Sequence, residues 1–535
     1  MNSDIAQAIG QQLLLTFNGT APAPEILATL RERPVGGVTL FRGKNTIDPP
    51  QVAALTAALQ RAAAEAGQPP LLIAVDQEGG QLMGIGGGTT LFPGNLALAA
   101  TGSAELAGRT GHALGLELAA MGVNVDYAPV CDVNVNPRNP VVGTRSFGED
   151  PALVARLAAA MTQGLQQAGV AATAKHFPGH GDTASDSHHG LVVVPHSRER
   201  LDQVELPPFA AAIAAGAKLV MAAHVALPAL TEGVALPATL APQVLRGLLR
   251  GALGFQGLIV SDAMDMGAIG TGIGLVVDSI AAVAAGIDLL LLNSDAAAER
   301  QVYDGLVHAA RRGLLSPADL LASAERVLTL KRWLTEQPRP SLDVVGSAEH
   351  HALASTIAAR AITLVRDDAG RLPLRLPADA RLAVVVPQPI DLTPADTSSY
   401  ISCGLADAAR RYHARIDELV IPSDPSDGDV AALRQRLGGY DLVIVGTINA
   451  DAQPGQAALV NALLADERPL IAVALRMPYD LAAYPSAPTY LCAYSILPPA
   501  MEALADALWG RAALGGRLPV SIPGMYALGH GLERV

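Results

Sequence analysis

One short segment of the chain concentrates side chains that can move protons, bind metals or hold a polar ligand. Residues 175–190 read KHFPGHGDTASDSHHG, and they contain four histidines, two aspartates and a lysine. The glycines and the proline of this segment favour a compact loop, which can bring several polar side chains together. We therefore expect residues 175–190 to form part of a functional site.

Metal binding is one alternative for this segment, because five of its side chains are competent ligands for a divalent cation. They are His176, His180, Asp182, Asp186 and His188. The chain has no HExxH motif and no cysteine pair at metal-binding spacing, and the ammonium group of Lys175 would repel a cation. We expect no metal and no cofactor here. A polar loop with a purely structural role is the remaining alternative.

Asp186 and His188 suggest acid–base chemistry instead. They are separated by one residue, so on an extended loop both side chains can point the same way. A carboxylate that accepts a hydrogen bond from imidazole fixes the tautomer and favours the protonated ring, which suits proton transfer near neutral pH. The pair is therefore a candidate proton donor and acceptor.

Asp262 is the second candidate reactive group. It lies in IVSDAMDM at the end of an apolar run, whereas Asp265 comes three residues later and is expected on the following turn. A carboxylate that faces a proton donor is the minimum for cleaving a glycosidic bond. In retaining enzymes the two groups lie about 5–5.5 Å apart, and the carboxylate attacks the anomeric carbon.

Seven apolar runs between residues 36 and 295 define the elements that must position these groups. They are GGVTLF (36–41), LLIAVD (71–76), VNVDYAPV (123–130), AATAKHF (171–177), KLVMAAHV (218–225), GLIVSD (257–262) and DLLLLN (288–293). Such runs are typical of buried parallel strands, and Ala-rich segments of helical period lie between them. The pattern predicts an α/β fold, a TIM-like (β/α)8 barrel with one irregular or missing strand.

Six polar residues fall at or just beyond the ends of these predicted strands. They are Asp76, Asp132, Lys175, His176, His224 and Asp262. In a (β/α) barrel the carboxyl ends of the strands form the face on which active sites assemble. The alternative for any one of them is a helix cap in a βα loop.

The C-terminal part predicts a second domain. We place the barrel domain at 1–336, a linker at 337–346 and an α/β (αβα) sandwich domain at 347–535. The predicted strands of the sandwich are RLAVVVP (381–387), ELVIP (418–422), YDLVIVG (440–446), PLIAVAL (469–475) and TYLCAY (489–494). The glycine-rich stretch 84–90 lacks GxGxxG spacing, so it does not indicate a dinucleotide site.

Composition narrows the class of protein. The chain has 535 residues, a formal net charge of −13 and no cluster of Lys and Arg, which argues against nucleic acid as a partner. No apolar run approaches the length of a membrane span. The first residues include Asp4 and no early Lys or Arg, and the three cysteines are scattered singly. We expect a cytoplasmic protein that acts on a small substrate.

The motifs resemble those of glycoside hydrolase family 3, in its β-N-acetylglucosaminidase branch, across about residues 5–335. The matching stretches are AVDQEGG (74–80), FPGN (92–95), APVCDVNVNPRNPVVGTRSFGED (128–150), KHFPGHGDTASDSH (175–188), AHVALPAL (223–230) and GFQGLIVSDAMDM (254–266). They occur in the family order. The C-terminal part resembles, more weakly, the sandwich domain that many members carry.

The resemblance implies a retaining exo-acting β-N-acetylhexosaminidase that removes terminal β-linked GlcNAc, in particular from cell-wall fragments during peptidoglycan recycling. By motif position Asp262 is the nucleophile, His188 is the acid/base and Asp186 is its dyad partner. The residues implied to hold the hydroxyl groups of the sugar are Asp76, Arg145, Lys175 and His176.

The chain departs from the branch pattern after EGG. Gln81 and Gly84 stand where the branch carries arginines that shape the sugar pocket. The departure leaves other activities on the same fold open: β-glucosidase, β-xylosidase or GlcNAc phosphorylase. A carbohydrate-binding protein without catalysis is the alternative from another class. The sequence does not indicate the oligomeric state or whether the second domain contributes to the site.

Overall fold

The N-terminal part of the protein is a barrel of eight parallel strands. The computed structural model describes residues 2–187, 190–293 and 295–534. The barrel strands are β1 (Leu13–Leu15), β2 (Gly37–Leu40), β3 (Leu72–Val75), β4 (Val125–Asp126), β5 (Ala171–Phe177), β6 (Leu219–Ala222), β7 (Leu258–Ser261) and β8 (Leu290–Leu291). They pair in the order β7-β6-β5-β4-β3-β2-β1-β8. The amide of Ser261 donates to the carbonyl of Leu289 at 2.9 Å, which brings β7 and β8 together and nearly closes the sheet. The predicted barrel is confirmed.

Each of the seven predicted strands contains a strand of the barrel, and the eighth strand is β1. It consists of three leucines that follow a helix, Asn2–Gln11, after a single residue. Because no Gly or Pro separates these leucines from the helix, the sequence pattern does not indicate a strand there.

Helices cover the outer side and the N-terminal end of the barrel. They are α1 (Asn2–Gln11), α2 (Pro24–Glu32), α3 (Pro49–Glu65), α4 (Asn95–Thr101), α5 (Ala104–Ala120), α6 (Pro151–Gln167), α7 (Arg198–Gln203), α8 (Leu206–Ala214), a π-helical segment (Gln243–Ala252), α9 (Ile273–Ala285), α10 (Ala296–Arg311) and α11 (Pro317–Thr335). Three of them begin with the same motif, a polar N-cap residue followed by proline. The side chains of Asp48, Asp150 and Ser316 accept amide hydrogen bonds in the first turns of α3, α6 and α11. Proline fits this position because its missing N–H would have no helical partner.

The barrel interior is packed with side chains rather than open. Leu14, Ala74, Tyr127 and Met221 belong to one buried cluster inside the sheet, which also includes Leu330 of α11. Helix α11 therefore covers the N-terminal end of the barrel. The carboxyl ends of the strands are left as the face on which a site can form.

The C-terminal part forms a mixed six-stranded sheet. Its strands are β9 (Thr363–Asp367), β10 (Leu382–Pro387), β11 (Ile416–Ile421), β12 (Leu442–Thr447), β13 (Leu470–Ala474) and β14 (Thr489–Cys492), in the order β9-β14-β13-β12-β10-β11. Strand β9 is antiparallel to β14, and the other pairs are parallel. Two separate apolar clusters lie on the two faces of the sheet. The helices of this part are α12 (Ala348–Ala361), α13 (Leu405–Arg410), α14 (Asp427–Arg436), α15 (Pro454–Ala465) and α16 (Pro498–Leu508). The predicted α/β sandwich is confirmed, with one edge strand more than the sequence pattern indicates.

Helix α12 connects the two parts. Its residues Leu353 and Ile357 pack in the apolar cluster of the barrel, and Ala358 packs in a cluster of the second sheet. The buried carboxylate of Glu117 accepts from His350 Nδ1 at 2.8 Å and from the amide of Gly346 at 3.1 Å. The second domain is therefore packed against the barrel, and the bounds 336 and 347 stay a prediction. Among the described residues, no helix is both long and apolar enough to span a membrane.

Candidate active site

A cavity of about 550 Å³ opens at the carboxyl ends of the barrel strands. Its wall contains five of the residues singled out from the sequence: Asp76, Arg145, Lys175, His176 and Asp262. They come from the ends of β3, β5 and β7 and from the loop after β4, which are distant in the sequence. The barrel therefore brings them together, as strand-end residues of such a fold are expected to be.

Two acids and two bases form an ion-pair network at this cavity: Asp76, Lys175 and Arg145 line the wall, and Glu78 lies behind them. Lys175 Nζ lies 2.5 Å from Asp76 Oδ1 and 2.6 Å from Glu78 Oε1. Arg145 donates to both carboxylate oxygens of Glu78, from Nε at 2.9 Å and from Nη2 at 2.7 Å. The Lys175, Glu78 and Arg145 side chains are at most 3% exposed, whereas that of Asp76 is 24% exposed. Asp76 is thus the member of the network most available to a ligand.

The network fixes the charges of its members. Burial alone would raise the pKa of Glu78, but the charges of Arg145 and Lys175 outweigh it and lower that pKa to about 2. Burial would lower the pKa of Lys175, and the carboxylates of Asp76 and Glu78 raise it above its usual value. At neutral pH the network therefore holds the charged ammonium group of Lys175 beside the charged carboxylate of Glu78.

His176 is held by groups on both sides of its ring. Its Nδ1 lies 2.6 Å from Asp132 Oδ2, and its Nε2 lies 3.3 Å from Arg145 Nη2. Because a guanidinium group only donates, Nε2 accepts and Nδ1 carries the proton that is donated to Asp132. Burial would raise the pKa of Asp132, but His176 and further donors lower it. A hydroxyl group that donates to His176 Nε2 would compete only with the long hydrogen bond from Arg145.

The loop that follows β5 is held by hydrogen bonds of its own. His180 Nδ1 contacts Thr183 Oγ1 at 2.8 Å, and His180 Nε2 contacts Ser187 Oγ at 2.9 Å. Asn139 donates to the carbonyl of His180 at 2.8 Å. Asp186 is buried, and Ser187 lines the cavity. The loop therefore reaches the cavity at Ser187; His188, the next residue, lies outside the described residues.

Asp262 lies directly after β7. Its Oδ1 accepts from the amide of Ala263 at 2.8 Å, and its own amide donates to the carbonyl of Ala222 at 2.9 Å. His224, after β6, contacts the carbonyl of Ala263 through Nε2 at 3.0 Å and Thr239 Oγ1 through Nδ1 at 2.8 Å. His224 therefore supports the segment that carries Asp262.

Asp265 also lines the cavity but has different surroundings. It accepts from Asn293 Nδ2 at 3.0 Å, and Asn293 in turn accepts from Lys44 Nζ at 2.6 Å. Burial raises the pKa of Asp265. The side chain of Asp265 is thus held by Asn293 in the cavity wall.

The second domain supplies part of the cavity wall through residues 391–400. Asp396 of this segment is buried and accepts from Arg476 Nη2 at 2.8 and 2.9 Å. Both the amide and the hydroxyl of Thr397 donate to the carbonyl of Gln81 at 2.8 Å. Hydrogen bonds on both sides therefore hold residues 391–400 against the barrel. The second domain thus contributes residues to the cavity wall, which the sequence alone did not indicate.

Three residues that matter to the site were not singled out from the sequence: Glu78 lies behind the cavity wall, and Arg42 and Tyr400 line it. Glu78 lies in the AVDQEGG motif, where a carboxylate two residues after Asp76 was the available signal. Arg42 and Tyr400 carry no local signal, because they meet only through the contact between the two domains. Across residues 2–187, 190–293 and 295–534, no group of three or more His, Cys, Asp or Glu residues is placed to hold a metal ion.

Known proteins resemble this chain over nearly its whole length. A family model described as "Glycosyl hydrolase family 3 N terminal domain" matches residues 5–330. A protein of Pseudoalteromonas piscicida named beta-hexosaminidase A is 32% identical, covering 97% of this chain and 97% of its own. One of Cellulomonas fimi, named beta-N-acetylglucosaminidase/beta-glucosidase, is 32% identical over 93% of this chain and 90% of its own. A solved structure of a glycoside hydrolase family 3 beta-N-acetylglucosaminidase from Paenibacillus sp. str. FPU-7 superimposes with a TM-score of 0.91 at 40% identity, covering 97% of this chain and 98% of that chain.

Proposed function

The chain belongs to glycosyl hydrolase family 3, and from this membership we propose that it is a retaining, exo-acting β-N-acetylglucosaminidase. Two similarities support the choice of sugar: a relative named beta-hexosaminidase A matches the full length, and the superimposing structure is a beta-N-acetylglucosaminidase at 40% identity. The observation that carries the chemistry is the single cavity in which Asp262, the buried ion-pair network and Ser187 meet.

The ion-pair network is the proposed binding site for the terminal sugar. A carboxylate can accept from two neighbouring hydroxyl groups, and cationic donors can hold the others, which fixes the orientation of the ring. Asp76 is the exposed carboxylate of the network, and Lys175 keeps one N–H beyond its two acid partners. Arg145 and His176 complete this wall. Arg145 already donates to Glu78, to the carbonyl of Val141 and to His176 Nε2.

The reaction follows a double displacement. Asp262 attacks the anomeric carbon, while His188 donates a proton to the glycosidic oxygen and the bond to the leaving group breaks. Asp186 accepts from the imidazole and favours its protonated form. His188 then takes a proton from water, the water attacks the anomeric carbon, and Asp262 leaves as a carboxylate. Two inversions give net retention.

The position of the loop after β5 supports a histidine in this role. Ser187 lines the cavity and precedes His188 in the chain, and the contacts of His180 with Thr183 and Ser187 hold that part of the loop. We propose terminal β-linked GlcNAc of cell-wall fragments as the natural substrate.

The direct test is hydrolysis of 4-nitrophenyl β-GlcNAc. Asp262→Asn should lose at least a thousandfold in kcat, because an amide is a far weaker nucleophile than a carboxylate. Asp265→Asn is the matched control, since it changes a second acid of the same cavity, and it should keep activity within about tenfold of wild type. Full activity of Asp262→Asn with a retained fold would show that the nucleophile is assigned wrongly.

His188→Ala separates a proton donor from a structural residue. It should damage substrates with poor leaving groups more than activated aryl glycosides, because only the former need protonation as the bond breaks. Equal damage to both classes would contradict the acid role.

One similarity favours a second activity. The Cellulomonas fimi relative is named beta-N-acetylglucosaminidase/beta-glucosidase. A panel of 4-nitrophenyl β-GlcNAc, β-glucoside and β-xyloside, each with and without phosphate, ranks the candidate sugars by kcat/KM. A kcat/KM on the glucoside equal to or above that on the GlcNAc glycoside would replace the proposed sugar.

A further inference from the structure

Arg42 is a half-buried cation in the cavity wall that has no carboxylate partner within the described part of the chain. Its side-chain hydrogen bond joins Nη1 to the carbonyl of Met83 at 3.3 Å, and most of its five N–H donors are not used in this bond. The other arginines near the site differ, because Arg145 is paired with Glu78 and Arg476 with Asp396. Burial lowers the pKa of Arg42, but a guanidinium group stays charged in proteins.

Both domains hold this guanidinium in place. On one side, a Cβ added to Gly86 would lie 2.5 Å from Arg42 Nη2, so the absence of a side chain at Gly86 makes room for it. On the other side, Arg42 lies over the ring of Tyr400 at 4.3 Å from the centroid, within the range of a cation–π contact. Arg42 therefore sits between the barrel segment around Gly86 and the second-domain segment 391–400.

The branch pattern has arginines at the positions of Gln81 and Gly84, and the surroundings of these two residues differ from that pattern. A Cβ at Gly84 would lie 2.4 Å from Val75 Cγ2 and 2.9 Å from the carbonyl of Asp76, so no larger side chain fits there. The side chain of Gln81 accepts from Thr144 Oγ1 at 2.5 Å within the barrel domain, and its Nε2 donates to the carbonyl of Ala395 in the second domain at 3.4 Å. Arg42 supplies a guanidinium from the neighbouring loop, after β2, against this segment.

We propose that Arg42, stacked on Tyr400, binds an oxyanion at the leaving-group end of the cavity. The proposal rests on the proposed function, and it adds the chemical class of the group that is bound. Tyr400 is 54% exposed, whereas Lys175 in the ion-pair network is 1% exposed, so the Arg42 end is the open end. An exo-acting enzyme holds the terminal sugar at the closed end and the leaving group at the open end. The negative charge of Asp391, in the same segment, acts on Arg42, but its carboxylate is held by the amide and hydroxyl of Ser399 at 2.8 Å and forms no ion pair with Arg42 within the described residues.

The oxyanion has two possible sources. It is either a carboxylate carried by the leaving group or an inorganic phosphate that takes the place of water in the second step. In the latter case a phosphate oxygen attacks the anomeric carbon of the glycosyl ester, the bond to Asp262 breaks, and β-GlcNAc-1-phosphate leaves with the Asp262 carboxylate regenerated.

The test compares two aryl β-GlcNAc glycosides that differ in one group, 4-carboxyphenyl and 4-carbamoylphenyl. The measured quantity is the ratio of kcat/KM for the carboxylate to kcat/KM for the amide. Arg42→Gln should lower this ratio about tenfold or more, as expected for losing a hydrogen bond to a charged group. Arg42→Lys should restore part of it, because the charge returns without the planar donor set.

Arg381→Gln is the matched control, because Arg381 stacks on Tyr440 at 4.5 Å in the second domain, outside the cavity lining. Its ratio should equal that of wild type. A parallel arm adds phosphate and follows GlcNAc-1-phosphate by ³¹P NMR; loss of that product in Arg42→Gln, with an unchanged ratio, assigns the oxyanion to phosphate. An unchanged ratio together with unchanged phosphate dependence overturns the proposal. Absence of turnover on both glycosides in wild type contradicts the proposed function instead.

Discussion

Replacement of Glu78 by glutamine tests whether this carboxylate holds the ion-pair network together. In the structure its two oxygens accept from Arg145 Nε and Nη2, and Lys175 Nζ lies 2.6 Å away. Glu78→Gln keeps the size of the side chain and removes the charge. It leaves two buried cations to share the single carboxylate of Asp76.

The magnitude follows from the pKa of Glu78, which falls from 4.5 to about 2 in the folded protein. At about 1.4 kcal/mol per tenfold change in proton affinity, the charged form is favoured by about 3 kcal/mol, and the fully buried side chain receives little screening from solvent. This agrees with the roughly 3–5 kcal/mol found when one partner of a buried pair is removed. The melting temperature should fall by about 5 °C at pH 7.

The stabilisation that Glu78 provides should decrease as the pH falls. A depressed folded pKa means that the stabilisation is present above the unfolded pKa of 4.5 and is lost as the pH falls toward 2. The gap in melting temperature between wild type and Glu78→Gln, followed by circular dichroism, should therefore be full at pH 7 and smaller at pH 3.5. Glu325→Gln is the control, because its pair with Arg332 is exposed to solvent and should contribute little to stability. Equal, small shifts for both variants would refute the role of Glu78.

Lys331 is buried on α11, and Thr397 lines the cavity. Burial lowers the pKa of Lys331 to about 7, so the folded protein binds fewer protons than the unfolded chain between pH 7 and 10.5, and its stability should rise across that range. Lys331→Met should remove this rise, and a Lys331→Met melting curve that still follows wild type from pH 7 to 9.5 would contradict it. Thr397→Val removes the hydroxyl that donates to Gln81 and accepts from Met83, so it should raise KM several-fold with little change in kcat. Thr356→Val, at an exposed position of α12, is its control, and equal KM values for the two variants would show that the contact does not shape the site.

Much of the fold could be predicted because buried parallel strands leave a strong local pattern. Strands β1 and β9 leave a weak one: β1 has three residues after a helix, and β9 begins two residues after α12 ends. Neither has the Gly or Pro boundary that separates a strand from a helix. Pairing with neighbours far along the chain, β1 with β8 and β9 with β14, fixes them as strands.

The residues of the site also differ in how well the sequence predicts that they meet. Asp76, Lys175 and Asp262 stand at strand ends, where the barrel fold itself predicts that they meet. Arg42 and Tyr400 are separated by more than 350 residues, and only the packing of the second domain on the barrel brings them into contact. The arginines missing at Gln81 and Gly84 could be noticed in the sequence, but the replacement depends on space, such as the gap beside Gly86.

We expect Asp262 to become covalently bound to the sugar during the reaction. A slow substrate, 5-fluoro-β-GlcNAc fluoride, combines a good leaving group with a fluorine that destabilises the positively charged transition state, so the glycosyl ester should accumulate. Mass spectrometry of the intact protein should show one added sugar, and peptide mapping should place it on Asp262. A label on Asp265, or full turnover without any label at high substrate concentration, would contradict the account.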